Sequence, residues 1–227
     1  ADVRRHVTPD ESHFARTRVV ALENTHNRAG GRVFPLELAK DVAATARELG
    51  LRVHLDGARL FNAEVATGTP ASAWAALCDT VTFCLSKGLG APAGSLVCGS
   101  RARIREVHRA RKLLGGGMRQ VGILAAAGLH ALDHHVERLA LDHDNARTLA
   151  HGLAGLPGVE IEPAEVATNI VIFRVADAQA LCTQLAVNGV IMGALDERTV
   201  RAVTHLDVGA EDIATALEAV GSTLAAA

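Results

Sequence analysis

Two short stretches decide how this chain is read: Val53-His54-Leu55-Asp56-Gly57-Ala58-Arg59-Leu60 and Thr82-Phe83-Cys84-Leu85-Ser86-Lys87-Gly88-Leu89-Gly90. Each is an apolar run that delivers one charged side chain at its C-terminal end and then breaks at glycine. Such runs, separated by helix-length sequence, predict parallel strands joined by right-handed crossovers. In an open parallel sheet, ligands bind just beyond the carboxyl ends of the strands. An aspartate and a lysine delivered there by separate strands are placed to serve one ligand.

The surrounding sequence extends this pattern. Upstream, residues 18–22 read as a strand closing on Glu23-Asn24-Thr25-His26-Asn27, and a helix runs from Pro35 to Glu48 with Gly50 just past its end. The apolar run 51–55 predicts a strand covered on both faces. Short helices are expected at 59–66 and 71–77, a strand at 79–85 and a return strand at 94–98. Residues 101–114 form a basic helix carrying Arg101, Arg103, Arg105, Arg109, Arg111 and Lys112. Gly115-Gly116-Gly117 breaks it, and a long Ala/Leu-rich helical region is expected from Met118 to about Asp133, then another helix from Val136 to about Leu153. Beyond Pro157 the texture is that of a small α+β unit, with strands at 159–161, 169–175, 190–192 and 200–203 and helices at 178–188 and 211–224.

Composition limits what the chain does. Of its 227 residues, 49% are hydrophobic but only 3% aromatic, so a sizeable core must be built from Ala, Val and Leu. The formal net charge of −2 argues against a nucleic-acid surface. No apolar run is long enough to span a bilayer, and residues 1–5 show no signal-peptide pattern. Cys78, Cys84, Cys98 and Cys182 have spacings that suit neither zinc nor a disulfide framework, and read as small buried hydrophobes in a reducing, cytoplasmic compartment. His130 and His134 are four apart on a helix but lack the Glu of H-E-x-x-H. With His135 and His143 they read as a solvated or interface face, not as a metal site.

Lys87 and Asp56 carry the chemistry. Lys87 precedes its glycines, so the loop is no P-loop, and Gly88, Gly90 and Gly94 do not fit G-x-G-x-x-G. A lysine in an enclosed site can lose its proton and form a Schiff base. An ionised aspartate against a pyridine nitrogen keeps that nitrogen protonated. Together they point to pyridoxal 5'-phosphate, with the amine on its aldehyde and Asp56 on its ring. Arg59, three residues on, is suited to a bidentate grip on a substrate carboxylate, unless it pairs with Asp56 itself.

Four segments in this order resemble the low-specificity L-threonine aldolases, a fold-type I pyridoxal-phosphate family. They are Leu22-Glu23-Asn24-Thr25-His26-Asn27, His54-Leu55-Asp56-Gly57-Ala58-Arg59-Leu60, Ser86-Lys87-Gly88-Leu89 and Gly115-Gly116-Gly117-Met118-Arg119-Gln120. The likeness continues through Arg201-Ala202-Val203-Thr204-His205 to the last helix. It implies an α/β fold: the C-terminal part of a fold-type I large domain over 1–135, mostly parallel sheet with helices on both faces, plus a small α+β domain over 136–227. It makes Lys87 the Schiff-base lysine and Asp56 the pyridine partner. Arg59 and Arg201 would hold the substrate α-carboxylate, and His13 would lie near the substrate hydroxyl. Lys112 and Arg119 would reach a cofactor phosphate across a subunit interface.

The implied reaction is cleavage of the Cα–Cβ bond of a small β-hydroxy-α-amino acid, L-threonine or L-allo-threonine, to glycine and acetaldehyde. The implied assembly is a homodimer or homotetramer with shared active sites. Family members begin more than a hundred residues earlier, so the resemblance implies an N-terminal truncation. The absent portion would carry the phosphate loop, the imidazole stacked on the cofactor ring, part of the sheet and a further carboxylate ligand. Alternative readings are a related fold-type I enzyme that eliminates or transaminates, a non-catalytic dimerising fragment, and a nucleotide-binding α/β domain. The last lacks a glycine-rich fingerprint after a first strand.

Overall fold

A computed structural model describes residues 2–226. The chain opens with a short helix, α1 (Asp2–His6), and continues through β1 (Val19–Glu23), α2 (Leu36–Glu48), β2 (Arg52–Asp56), α3 (Leu60–Thr67), α4 (Ala71–Ala75), β3 (Thr80–Cys84) and β4 (Ser95–Gly99). The helices α5 (Arg101–Leu113), α6 (Gly122–His134) and α7 (Leu139–Ala154) follow. A second sheet and its helices end the chain: β5 (Ile170–Arg174), α8 (Ala178–Val187), β6 (Gly193–Ala194), β7 (Thr199–Val203) and α9 (Ala210–Ala225).

The first sheet has the order β1-β2-β3-β4. β1 and β3 both lie parallel to β2, in a register that sets Glu23, Asp56 and Thr82 level at one edge. β4 returns antiparallel to β3 after the lysine loop, which is short enough to reverse direction without a crossover helix. The second sheet, β5-β7-β6, is antiparallel. Its core is the most completely buried part of the chain, where Phe173, Val171 and Val200 meet Leu149, Leu153, Leu185 and Val220 from α7, α8 and α9. The α/β class and the mainly parallel pairing agree with the sequence.

Local sequence explains most boundaries. Ser100 accepts a hydrogen bond from the Arg103 N–H, and Asp177 one from the Ala180 N–H, so each satisfies an otherwise unpaired donor at a helix start. α2 stops where Gly50 takes φ +68°, a conformation that suits glycine.

Several expectations change. β2 is not covered on both faces: Val53 and Leu55 are buried against α2 and its neighbours, while Arg52 and Asp56 point to an exposed face. α6 starts at Gly122, not Met118, because the chain from Gly115 to Val121 is irregular and Gln120 has a positive φ. The turn at 136–138 delays α7 to Leu139. Residues 159–161 contribute only a bridge from Glu160 to Arg174. Val190 does not open a strand: its N–H bonds the Leu185 carbonyl across Gly189, which ties it to the end of α8. α1, unforeseen in the polar start, lays Val3 on the cluster around Val53, and Arg4 pairs with Glu48. Only Cys182 of the four cysteines is buried, and Cys98 is exposed, although burial pushes the half-buried Cys78 thiol up to about 11.

Candidate active site

The carboxyl ends of β1, β2 and β3 form the floor. Asn24 N–H donates to the Asp56 carbonyl (2.9 Å) and Gly57 N–H to the Thr82 carbonyl (2.7 Å), so the three strands leave the sheet in step. Gly57 is needed for that closeness, since a Cβ there would lie 2.8 Å from the Thr82 oxygen. The Asp56 carboxylate accepts the Ala58 N–H at 3.0 Å and is otherwise exposed at the sheet edge. Just past β3 the lysine loop folds back: Gly90 N–H donates to the Lys87 carbonyl and Ala91 N–H to that of Leu85.

A cavity of about 410 Å³ lies over this loop. Lys87, Ser86 and Arg59 line it from the first sheet, and Asn169, Val203 and His205 from the second. Arg59 reaches it from the residue that precedes α3. Arg201, on β7, approaches the same place: its Nη1 donates to Asn27 Oδ1 at 3.1 Å, and Arg59 Nη1 makes a looser approach to that oxygen at 3.5 Å. One neutral amide oxygen is thus shared by two guanidinium groups. Burial, helped by the Arg201 charge, holds Arg59 below its usual range, while Cys84, Glu23 and Asp56 pull the other way. Arg201 Nε is buried without a partner among the described residues. Such an orphaned donor beside a second guanidinium fits an anion, and a planar carboxylate matches the fork.

The sequence-derived residues divide into two groups. Lys87 and Arg59 face one cavity, Arg201 is held beside Arg59, and Asp56 stands on the neighbouring strand end. His13 is exposed and does not line the cavity, and Lys112, in the last turn of α5, and Arg119, on the α5–α6 connection, are exposed and also outside it. Three further residues went unassigned in the sequence. Asn27 lies in the Glu23–Asn27 segment singled out above, and His205 in the Arg201–His205 segment, yet neither motif assigned them a role. Asn169, 1% exposed, donates its amide to the Thr204 carbonyl and leaves Oδ1 without a partner at the cavity wall. The expected solvated histidine face holds for His130 and His134, whereas His143 is buried.

Residues 1–178 match the family model described as beta-eliminating lyase. The chain belongs to the beta-eliminating lyase family. A low specificity L-threonine aldolase of Escherichia coli O157:H7 is 47% identical over 210 residues, covering 92% of this chain and 61% of that protein. A low-specificity L-threonine aldolase of Arabidopsis thaliana is 40% identical over 205 residues, 88% of this chain and 57% of its own length. The chain therefore spans about three-fifths of the curated relatives it matches. A crystal structure described as a putative L-allo-threonine aldolase from Listeria monocytogenes superposes with a TM-score of 0.77 at 22% identity, covering 91% of this chain and 60% of that one, and establishes the shared fold. This beta-eliminating lyase family chain thus presents, at the carboxyl edge of its parallel strands, an amine, a carboxylate and one guanidinium group, with a second reaching in from β7.

Proposed function

We propose that the protein to which this chain belongs is a pyridoxal-phosphate-dependent carbon–carbon lyase that cleaves L-threonine or L-allo-threonine to glycine and acetaldehyde. The observation that carries this reading is the meeting of Lys87 and Arg59 in one cavity, with Arg201 held beside Arg59 through Asn27 and Asp56 on the adjacent strand end. The residues fit the cofactor: a primary amine for its aldehyde, a carboxylate that forms no ion pair among the described residues for its ring nitrogen, and a buried guanidinium donor left free for the α-carboxylate of its substrate. When bound, pyridoxal phosphate supplies the electron sink that takes up the pair left on Cα.

The chain's own residues do the rest. Lys87 would hold the cofactor through its side-chain amine. Arg59 and Arg201 fix the α-carboxylate, which orients the Cα–Cβ bond for cleavage; misplacement by an angstrom costs about a hundredfold. The β-hydroxyl proton is taken by a base or a bound water near the substrate; the resemblance sets His13 near that hydroxyl, whereas in this chain His13 is exposed and outside the cavity. Acetaldehyde leaves, Cα regains one proton, and glycine is the second product, so the atoms of threonine are conserved.

Exposed Leu113, Leu114, Met118, Val121 and Ile123 flank Lys112 and Arg119, which favours a homodimer or homotetramer in which this edge meets another copy and the two cations serve a phosphate there. A boundary near residue 135 would separate the large domain from the small one. Four free thiols favour a reducing, cytoplasmic setting, and no described helix is long and apolar enough to cross a membrane. Incubating the full-length protein with pyridoxal phosphate and threonine tests the reading. Glycine and acetaldehyde in equal amounts support it; ammonia and a keto acid would replace it with β-elimination.

A further inference from the structure

Beneath the lysine loop, α3 and α7 meet at a buried polar pair. Asn62 of α3 and His143 of α7 are separated by 81 residues, each is 3% exposed, and His143 Nε2 lies 2.9 Å from Asn62 Oδ1. Burial, with the Arg147 charge adding to it and Asp144 opposing, pushes the imidazole down to about 4. The ring is therefore neutral at ordinary pH, and its Nε2–H donates to the Asn62 carbonyl oxygen. With Oδ1 committed, the Asn62 amide nitrogen lies toward the lysine loop. It is 3.5 Å from the point a Cβ would occupy on Gly88, the residue directly after Lys87. Leu139 Cδ2, on the first turn of α7, is 2.9 Å from the same point. Glycine at 88 thus lets the loop settle onto both helices at once.

We infer that Asn62 and His143 are positioning residues for Lys87: their hydrogen bond locks α3 to α7 under Gly88 and so fixes the direction in which the lysine amine enters the cavity. The inference rests on the reading of Lys87 as the cofactor-bearing residue. Stability alone does not require the pair, because replacing both partners of a buried hydrogen bond by apolar groups of similar shape is close to neutral. A hydrogen bond does what apolar packing does not: it fixes one rotation of the Asn62 amide and one relative placement of two helices.

The test uses the full-length protein loaded with pyridoxal phosphate. His143→Leu, His143→Gln and the double variant Asn62→Leu/His143→Leu are compared with the wild type by the cofactor's visible circular dichroism, by kcat and KM for threonine, and by thermal stability. His143→Leu is expected to weaken the visible band and lower kcat about ten- to a hundredfold with KM within about twofold, as expected for a misaimed group. His143→Gln, which keeps an N–H donor, is expected to recover most of both signals. The double variant should recover stability without recovering kcat or the band. Wild-type kcat and visible dichroism in a folded His143→Leu protein, or in the double variant should the single one fail to fold, would overturn the inference. A wild-type protein that shows no visible band refutes the reading of Lys87 itself and takes the inference with it, before any variant is compared.

Discussion

His143 makes a quantitative prediction about stability and pH. In the unfolded chain its imidazole takes up a proton near 6.5, whereas in the folded chain burial lowers that value to about 4. Between these values the unfolded state binds the extra proton and the folded state does not, so acid favours unfolding. The contribution is complete above the unfolded value and is lost as pH falls toward the folded one. The separation, 6.5 − 4 = 2.5 units, corresponds to about 3 kcal/mol when fully expressed. At 3% exposure, solvent does little to screen the effect. Integrated over the window between about pH 7 and about pH 5, His143 accounts for roughly 2 kcal/mol of lost stability. Urea unfolding of the wild type and His143→Gln, followed by far-UV circular dichroism at both pH values, isolates this amount, because other titrating groups cancel in the difference. The wild type should lose about 2 kcal/mol more than the variant. Parallel losses, equal within about 0.5 kcal/mol, would refute a buried neutral imidazole.

Two other substitutions test separate parts of the account. Arg201→Lys keeps the charge but loses the planar fork, so KM for threonine should rise about tenfold or more with a smaller change in kcat; an unchanged KM in steady-state kinetics would count against a carboxylate at this position. Gly31→Ala forces a side chain onto a residue at φ +72° and sets its Cβ 2.4 Å from Thr168 Oγ1, which donates to the Gly31 carbonyl. A loss of about 2 kcal/mol or more is expected by chemical denaturation, and a loss below about 0.5 would contradict the close approach.

The sequence showed the ends of β2 and β3 because each run is short, apolar and closed by glycine, and because Asp56 and Lys87 stand at those ends. Arg59 and Arg201 were legible as chemistry, but their shared partner was not. Asn27 and Arg201 are 174 residues apart, and no local pattern announces that β7 will lie over the β1 edge. The Asn62–His143 bond escaped for the same reason: each sits on a helix whose periodicity says which face is buried, not which residue it meets. His143 in particular was grouped with its solvated neighbours because spacing alone does not distinguish the turns of α7 that face the core. Boundaries failed where backbone hydrogen bonds, not composition, set them. The closure of Val190 onto the end of α8 and the irregular stretch before Gly122 are both of that kind.

The most direct test of the central claim is the site of attachment. The full-length protein is incubated with pyridoxal phosphate, reduced with borohydride, digested and mapped by mass spectrometry. A pyridoxyl group is expected on Lys87, lost in Lys87→Ala and retained in Lys40→Ala, a lysine that pairs with Glu37 on α2. A label on another lysine, or none in a folded wild-type protein, would contradict it.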